Sequence, residues 1–287
     1  MSARDGVLIT AVELMRRVRE GDPPAILDVR WRLDEPDGRP AYLAGHLPGA
    51  VYVSLDDDLS DHGVIARGRH PLPRGDDLQA AARRWGLRQG RPVVVYDDWN
   101  RAGSSRAWWV LTAAGLSDVR ILDGGLPAWT SAGGTLETGP VTPAPGDVTV
   151  VHSDLYAGDL YGGARATLTA DEVAASTVAT LLDARAPQRF RGDEEPLDAA
   201  AGHIPGARNL PSTSLLAPDG TFLPDSEIAA RLAACDPGES VGVYCGSGVT
   251  ASVVLAALSA IGVSGALFPG SWSQWSGEAG RPVATGD

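Results

Sequence analysis

One pattern occurs twice in this chain, and it restricts the fold more than any other feature. Ile26-Leu27-Asp28-Val29-Arg30 is followed by Ala44-Gly45-His46-Leu47-Pro48-Gly49-Ala50, and Leu181-Leu182-Asp183-Ala184-Arg185 by Ala201-Gly202-His203-Ile204-Pro205-Gly206-Ala207. The aspartates (28 and 183) lie 155 residues apart and the histidines (46 and 203) lie 157 apart. Near-constant spacing between two separate motifs points to duplication with small local insertions. Two copies in 287 residues also agree with about 150 residues per domain.

Each copy continues in the same order. Pro92-Val93-Val94-Val95-Tyr96 and Val241-Gly242-Val243-Tyr244 are short apolar runs suited to strands buried on both faces. A Gly/Ser-containing turn and a helix-like segment follow each, over residues 105–114 and 250–260. Strands alternating with longer amphipathic segments predict an α/β fold, with a mainly parallel central sheet flanked by helices in each copy. Gly115 and Gly262 are expected helix exits before further strands at 119–122 and 263–268. Thr10-Ala11-Val12-Glu13 and Thr169-Ala170-Asp171-Glu172 have capping-box spacing, so a helix is expected to begin at each. Residues 135–163 contain several Gly and Pro and no helical period. They read as an interdomain connection packed over the surface, which divides the chain into domains 1–134 and 164–287.

Charge narrows the function. Lys and Arg total 24 against 36 Asp and Glu, a net −12 that argues against a general nucleic-acid surface or a polybasic membrane anchor. No apolar run approaches the about 18 residues of a membrane span, and residues 1–6 lack a signal-peptide pattern. Two cysteines do not make a disulfide framework. A cytoplasmic enzyme with one reactive thiol is the expectation.

The chemical signal is Tyr244-Cys245-Gly246-Ser247-Gly248-Val249-Thr250-Ala251. An apolar strand delivers Cys245 into a turn of small residues, and a helix is expected directly after it. Such a turn aims backbone N–H groups inward, and the helix terminus adds a positive field. Both favour anionic sulfur and a nucleophilic cysteine. Gly246 and Gly248 suit positions where a Cβ would obstruct the backbone. Cys235, at a helix-to-turn junction in Ala234-Cys235-Asp236-Pro237, reads as structural. It has no Cys-x-x-Cys spacing to Cys245.

With these residues in view, the chain resembles the two-domain sulfurtransferases of the rhodanese family. The loop Cys245-Gly246-Ser247-Gly248-Val249-Thr250 is most like that of the 3-mercaptopyruvate enzymes, whereas thiosulfate enzymes usually have charged residues where Ser247 and Gly248 stand. The paired Asp-x-Arg and Gly-His-x-Pro-Gly segments, Leu122-Asp123-Gly124-Gly125 and Gly270-Ser271-Trp272-Ser273-Gln274-Trp275 extend the resemblance over most of both domains. It implies a catalytic second domain and a first domain that has lost its cysteine, with Asp97 in the corresponding place. It also implies double displacement: the Cys245 thiolate takes sulfur from 3-mercaptopyruvate, releases pyruvate and becomes a persulfide. A thiol, cyanide or a protein acceptor then removes the sulfur. No metal or organic cofactor is implied, because the cysteine carries the transferred atom.

Recognition of the small anionic donor falls to arginine, whose guanidinium can hold a carboxylate through two parallel hydrogen bonds. In Gln188-Arg189-Phe190-Arg191-Gly192 the resemblance favours Arg189 for binding, with Arg191 second; local salt bridges to Glu194 or Glu195 are the other reading. Arg185 reads as structural beside Asp183. The loop residues Gly246, Ser247, Gly248, Val249 and Thr250 complete the expected binding set. One departure concerns the donor. Mercaptopyruvate enzymes commonly supply another arginine where Glu194-Glu195-Pro196-Leu197-Asp198 has Leu197. Thiosulfate, another compact anion, is therefore the runner-up.

Ser247 can orient the donor or move a proton. The resemblance brings His70, from Arg69-His70-Pro71-Leu72-Pro73, to the loop across the domain interface, and makes Asp56 the carboxylate behind it, with Asp57 as the alternative. A Ser–His–Asp relay follows if the group assists transfer; interface hydrogen bonding alone is the plainer reading. His46 and His203 read as turn-fixing residues rather than metal ligands, there being no compact Cys/His set with zinc spacing. Trp108, Trp109, Trp272 and Trp275 read as packing, with Trp272 close to the loop. A Cys-x-x-x-x-x-Arg phosphatase is excluded because Ala251 occupies the arginine position. A catalytically weak persulfide carrier or protein-binding module is the remaining alternative. The sequence leaves the oligomeric state open.

Overall fold

A computed structural model describes residues 2–157 and 165–287. The end of the expected connection, 158–163, and the expected boundary at 164 lie outside the described residues. The first half contains β1 (Leu8–Ile9), β2 (Ala25–Asp28), β3 (Val51–Tyr52), β4 (Val93–Tyr96) and β5 (Val119–Leu122). These form one sheet in the order β1-β5-β4-β2-β3, with every pairing parallel. The second half contains β6 (Thr180–Asp183), β7 (Arg208–Asn209), β8 (Val241–Tyr244) and β9 (Ala266–Leu267), also all parallel, in the order β7-β6-β8-β9. Where the first sheet has β1, the second has a single parallel bridge between Thr167 and Leu267. The register repeats as well: Asp28 pairs with Tyr96 as Asp183 pairs with Tyr244.

The central strands β4 and β8 are buried at all four positions, which accounts for their unbroken apolar sequence. Their following helices, Ala102–Ala113 and Ala251–Ala260, are buried along nearly their whole length. A helix with no polar face must be covered on all sides, and these two cover each other across the domains. One continuous core results, joining Val95 and Trp109 of the first half to Val243 and Leu255 of the second.

Three local expectations need adjustment. The first interface helix begins at Ala102 rather than 105, because Asn100 Oδ1 accepts the Ala102 N–H (3.2 Å) and Asp97 accepts that of Ser104 (3.0 Å). The strand expected over 263–268 is reduced to Ala266–Leu267, since the chain leaves Gly262 (φ +78°) and crosses the surface before reaching the sheet. Thr169 and Glu172 make both bonds of a capping box. Thr10 caps through the Glu13 N–H only, the Glu13 carboxylate being turned to Arg17 and Arg120.

The duplicated motifs have a shared structural use. Arg30 grips Asp28 side-on and donates to the Gly45 carbonyl; Arg185 does the same with Asp183 and Gly202. His46 Nδ1 lies 2.9 Å from the Tyr42 carbonyl and His203 Nδ1 lies 2.8 Å from that of Phe190. Each histidine backbone also forms an antiparallel bridge to the segment leaving its domain, at Glu137 and Ala284. The described part of the connection, 135–157, forms no helix. It is tied to the first half at the Arg83 and Ala114 carbonyls, and its own Val148 and Leu155 are buried. Among the described residues no helix is long and apolar enough to cross a membrane.

Candidate active site at the Cys245 loop

Strand β8 sits between β6 and β9 and leads directly into Cys245, so the loop opens at the carboxyl end of a parallel sheet, where α/β folds gather their ligands. Cys245 Sγ accepts the Gly248 N–H at 3.1 Å. The N–H groups of Gly246, Ser247, Val249 and Thr250 donate to no backbone acceptor among the described residues. The same turn therefore keeps unspent donors for a negative charge. The short helix Ser271–Trp275 braces it from behind. Ser271 Oγ accepts the Cys245 N–H (3.1 Å), Trp272 N donates to the Cys245 carbonyl (3.0 Å), and Ser273 N donates to that of Gly246 (2.9 Å).

Gly248 has φ +80°, and a Cβ there would lie 2.5 Å from the Pro269 carbonyl oxygen. Neither strain can relax by side-chain rotation. Gly248→Ala is expected to cost about 2–4 kcal/mol of stability and to displace the N–H from Sγ. A urea unfolding midpoint equal to that of the parent would refute this.

The first half contains the same loop with its anion built in. Asp97 follows β4 as Cys245 follows β8. Its carboxylate accepts from the N–H groups of Trp99, Arg101 and Ser104, from Ser104 Oγ at 2.6 Å, and from Arg101 at 2.8 Å. A turn that folds around its own carboxylate shows that this loop architecture is fitted to an anion. It has no thiol, and these donors are already taken by the Asp97 carboxylate.

Three expected residues meet across the domain interface. Ser247 Oγ is 2.7 Å from His70 Nδ1, and His70 Nε2 is 3.3 Å from Asp56 Oδ1. Asp57 is turned away: it exchanges bonds with Ser54 at the start of the short helix Leu55–Asp58. Burial pushes the His70 imidazole down to about 3, and the nearby cations Arg106 and Arg69 act in the same direction, as does His62. A neutral ring with Nε2 toward a carboxylate carries its proton on Nε2, which leaves Nδ1 to accept the Ser247 hydroxyl. Burial holds the Asp56 carboxyl above its usual range. Its Oδ1 receives no well-aligned hydrogen bond, so the His70–Asp56 contact is looser than the Ser247–His70 bond.

Arg189 donates to Glu195 through Nε (3.2 Å) and Nη2 (2.6 Å), and through Nη2 to Asp198 (3.1 Å). Its remaining nitrogen, Nη1, comes within 3.4 Å of where a Gly246 Cβ would stand. Arg191 is not brought to the loop; it pairs with Asp193 at 2.7 Å and faces a separate concavity beside His203 and Cys235. Glu194 takes no part in these pairs, whereas the side chain of Glu195, 3% exposed, joins Arg185 and Arg189. Leu197 is exposed.

Sequence reasoning missed three contributors. Arg69 pairs with Asp198 and reaches the same point above Gly246. Asp198 holds Arg69 and Arg189 together. Arg106, fully buried and with no carboxylate partner among the described residues, donates to the carbonyls of Leu59, His70 and Pro71 and approaches that of Gly248 at 3.4 Å. Burial pushes Arg106 down to about 10. Only Arg69 left a usable sign in the sequence, its place beside His70.

Both cysteines are free. Cys235 lies against the Asn209 carbonyl, so it is not paired with Cys245. Trp272 is wholly buried, donates to the Ala200 carbonyl at 2.9 Å and stacks under Arg185; its role is packing behind the loop. Val249 packs with Trp31, Leu55 and Ala102, which seals the interface beside the loop, and Thr250 stands at the N-cap of the following helix without a side-chain capping bond.

Fold and loop together define a tandem α/β protein in which one of two related anion turns carries a cysteine. Rhodanese-like domain models match residues 10–132 and 166–278, and the chain belongs to that family of sulfurtransferases. It is 65% identical to the Mycobacterium tuberculosis protein named "Putative thiosulfate sulfurtransferase SseB", over all of this chain and 99% of that one. It is 43% identical to the "Probable 3-mercaptopyruvate sulfurtransferase" of Pseudomonas aeruginosa, over 98% of each. The crystal structure of the 3-mercaptopyruvate sulfurtransferase SseA from Escherichia coli superimposes with a TM-score of 0.79 at 32% identity, covering 93% of this chain and 98% of that one.

Proposed function

We propose that this sulfurtransferase takes the sulfur of 3-mercaptopyruvate onto Cys245 and passes it to a thiol, cyanide or a protein acceptor. The observation that carries the reading is the Cys245 loop itself: a thiol receiving an inward N–H, unspent donors, and no charged side chain from Gly246 to Thr250. The Cys245 thiolate attacks the donor sulfur. The carbon–sulfur bond breaks, its electron pair goes to C3, and the enolate of pyruvate leaves. The donor's thiol proton ends on C3, which leaves a Cys245 persulfide. An acceptor thiolate then attacks the outer sulfur and restores Cys245.

Each neighbouring residue has a part in this scheme. Arg189 binds the donor carboxylate. Ser247, hydrogen-bonded to a neutral His70, relays the proton, with Asp56 fixing the His70 tautomer. Gly246, Gly248, Val249 and Thr250 contribute the backbone that stabilises the charged sulfur. Arg191, paired with Asp193, drops out of the binding set. Thiosulfate is the second reading, favoured by the name of the 65% identical relative and by the uncharged Leu197.

The test compares the two donors with one thiol acceptor at equal concentration. Pyruvate release from mercaptopyruvate at a rate well above sulfite release from thiosulfate, together with a gain of one sulfur mass on Cys245, is expected. Faster turnover of thiosulfate would replace the proposed donor.

A further inference from the structure

We propose that Arg106 is a positioning residue of the proton relay: its guanidinium gathers backbone carbonyls from the three segments that carry Asp56, His70 and Ser247. This rests on the relay reading of those three residues. Arg106 lies on the helix Ala102–Ala113, is 0% exposed and has no carboxylate partner among the described residues. Its Nη2 donates to the carbonyls of His70 (2.9 Å), Leu59 (3.1 Å) and Pro71 (3.3 Å), and Nε also reaches Leu59 (3.4 Å). Its Nη1 extends to the Gly248 carbonyl of the second half at 3.4 Å. Each acceptor belongs to one arm of the relay. Leu59 closes the short helix Leu55–Asp58 that bears Asp56, His70 carries the ring, and Gly248 directly follows Ser247.

Carbonyl oxygens at an interface need only neutral donors, whereas a buried cation with no opposite charge is costly. The guanidinium offers two things a neutral donor does not. Its planar fork holds donors at fixed angles toward three segments at once, which a single ammonium cannot do. Its charge also acts on His70. Burial pushes Arg106 down only to about 10, so it remains charged at neutral pH. Arg106, Arg69 and His62 all oppose protonation of the His70 ring, and of these Arg106 alone is fully buried. Asp56 faces Nε2, Ser247 holds Nδ1, and Trp31 meets the ring edge to face at 5.6 Å. An unscreened positive charge beside this ring favours its neutral form, the state that can accept the Ser247 proton.

A double-mutant cycle in turnover separates positioning from general stability. Arg106→Lys keeps the charge but not the fork. It is expected to lower kcat for mercaptopyruvate about 10- to 100-fold, with KM held within a few-fold. In a His70→Asn background, where no relay remains, the same substitution is expected to cost less than about threefold. Equal losses in the two backgrounds would overturn the proposal, because a loosened interface lowers both alike. Nitrogen-15 NMR of the histidine rings adds a measurement without turnover, with His70→Asn identifying the His70 signals. At pH 7 the parent's Nδ1 is expected to show the shift of a hydrogen-bonded acceptor, and Arg106→Lys to move it toward that of a free one. In Arg106→Gln, which removes the charge, His70 is expected to take up its proton about one pH unit higher than in the parent. Either variant that folds allows this comparison. His70 signals unchanged from the parent would overturn the proposal even if activity were lost. Parent-like turnover by His70→Asn would instead overturn the relay reading, while the NMR comparison still decides whether Arg106 sets His70.

Discussion

Cys245→Ser is expected to reduce pyruvate release from mercaptopyruvate by at least about 10⁴-fold and to abolish the gain of one sulfur mass on the protein. The exchange is conservative in shape. The serine Oγ can accept the Gly248 N–H that Sγ accepts at 3.1 Å, and the site is 2% exposed, so no new surface is created. What disappears is the atom that carries the cargo. An alcohol remains protonated at neutral pH and cannot hold transferred sulfur as a persulfide that a thiolate later removes. A thermal midpoint within about 3 °C of the parent is expected, which would assign the lost activity to chemistry rather than folding. Turnover by the serine variant above a hundredth of the parent rate would remove Cys245 from the centre of the mechanism.

Acid is expected to destabilise this protein steeply, with His70 a principal cause. In the fold its imidazole is pushed down to about 3 from 6.5, first by burial and then by Arg106, Arg69 and His62. Asp56, the carboxylate facing it, is itself held above its usual range by burial and so gives less compensation as the pH falls. The unfolded chain takes up this proton below pH 6.5 and the folded chain does not. His70 therefore contributes stability that is fully present above 6.5 and is lost as the pH falls toward 3. The slope is about 1.4 kcal/mol per pH unit, so roughly 2 kcal/mol is lost between pH 6.5 and 5 and roughly 5 kcal/mol by pH 3. Urea titrations of parent and His70→Asn at pH 7 and pH 5 test this. The variant keeps an acceptor for the Ser247 hydroxyl and is expected to lose about 2 kcal/mol less than the parent over that interval. Equal losses would mean that His70 titrates normally in the fold.

Much of the architecture was legible because it is written in neighbouring residues. The strands at Val93–Tyr96 and Val241–Tyr244 were readable from uninterrupted apolar sequence, and Gly115 and Gly262, at φ +98° and +78°, from the glycine that a helix exit favours. The cysteine turn was equally plain, since strand, small residues and helix follow one another directly. Harder to read was a helix start such as Ala102, where side chains of Asp97 and Asn100 cap the first turn from within a loop that has no standard capping spacing. Hardest were side chains whose partners lie far along the chain. Arg189 and Arg191 look alike in sequence, yet one meets Glu195 and Asp198 under the loop while the other pairs with Asp193 at the surface.

By itself, the sequence determined that there are two copies of one α/β plan, that only the second keeps a thiol at the end of its central strand, and that small residues surround this thiol. These are properties of contiguous segments, set by periodicity and backbone conformation. The tertiary structure alone decided which distant groups face Cys245 and in what state of charge. His70 and Ser247 are 177 residues apart in the chain, and Arg69 and Asp198 are 129 apart. The reason is that hydrogen bonding and desolvation act through space: two buried helices bring the domains together, and that contact withdraws His70 from water and brings Arg69 to Asp198.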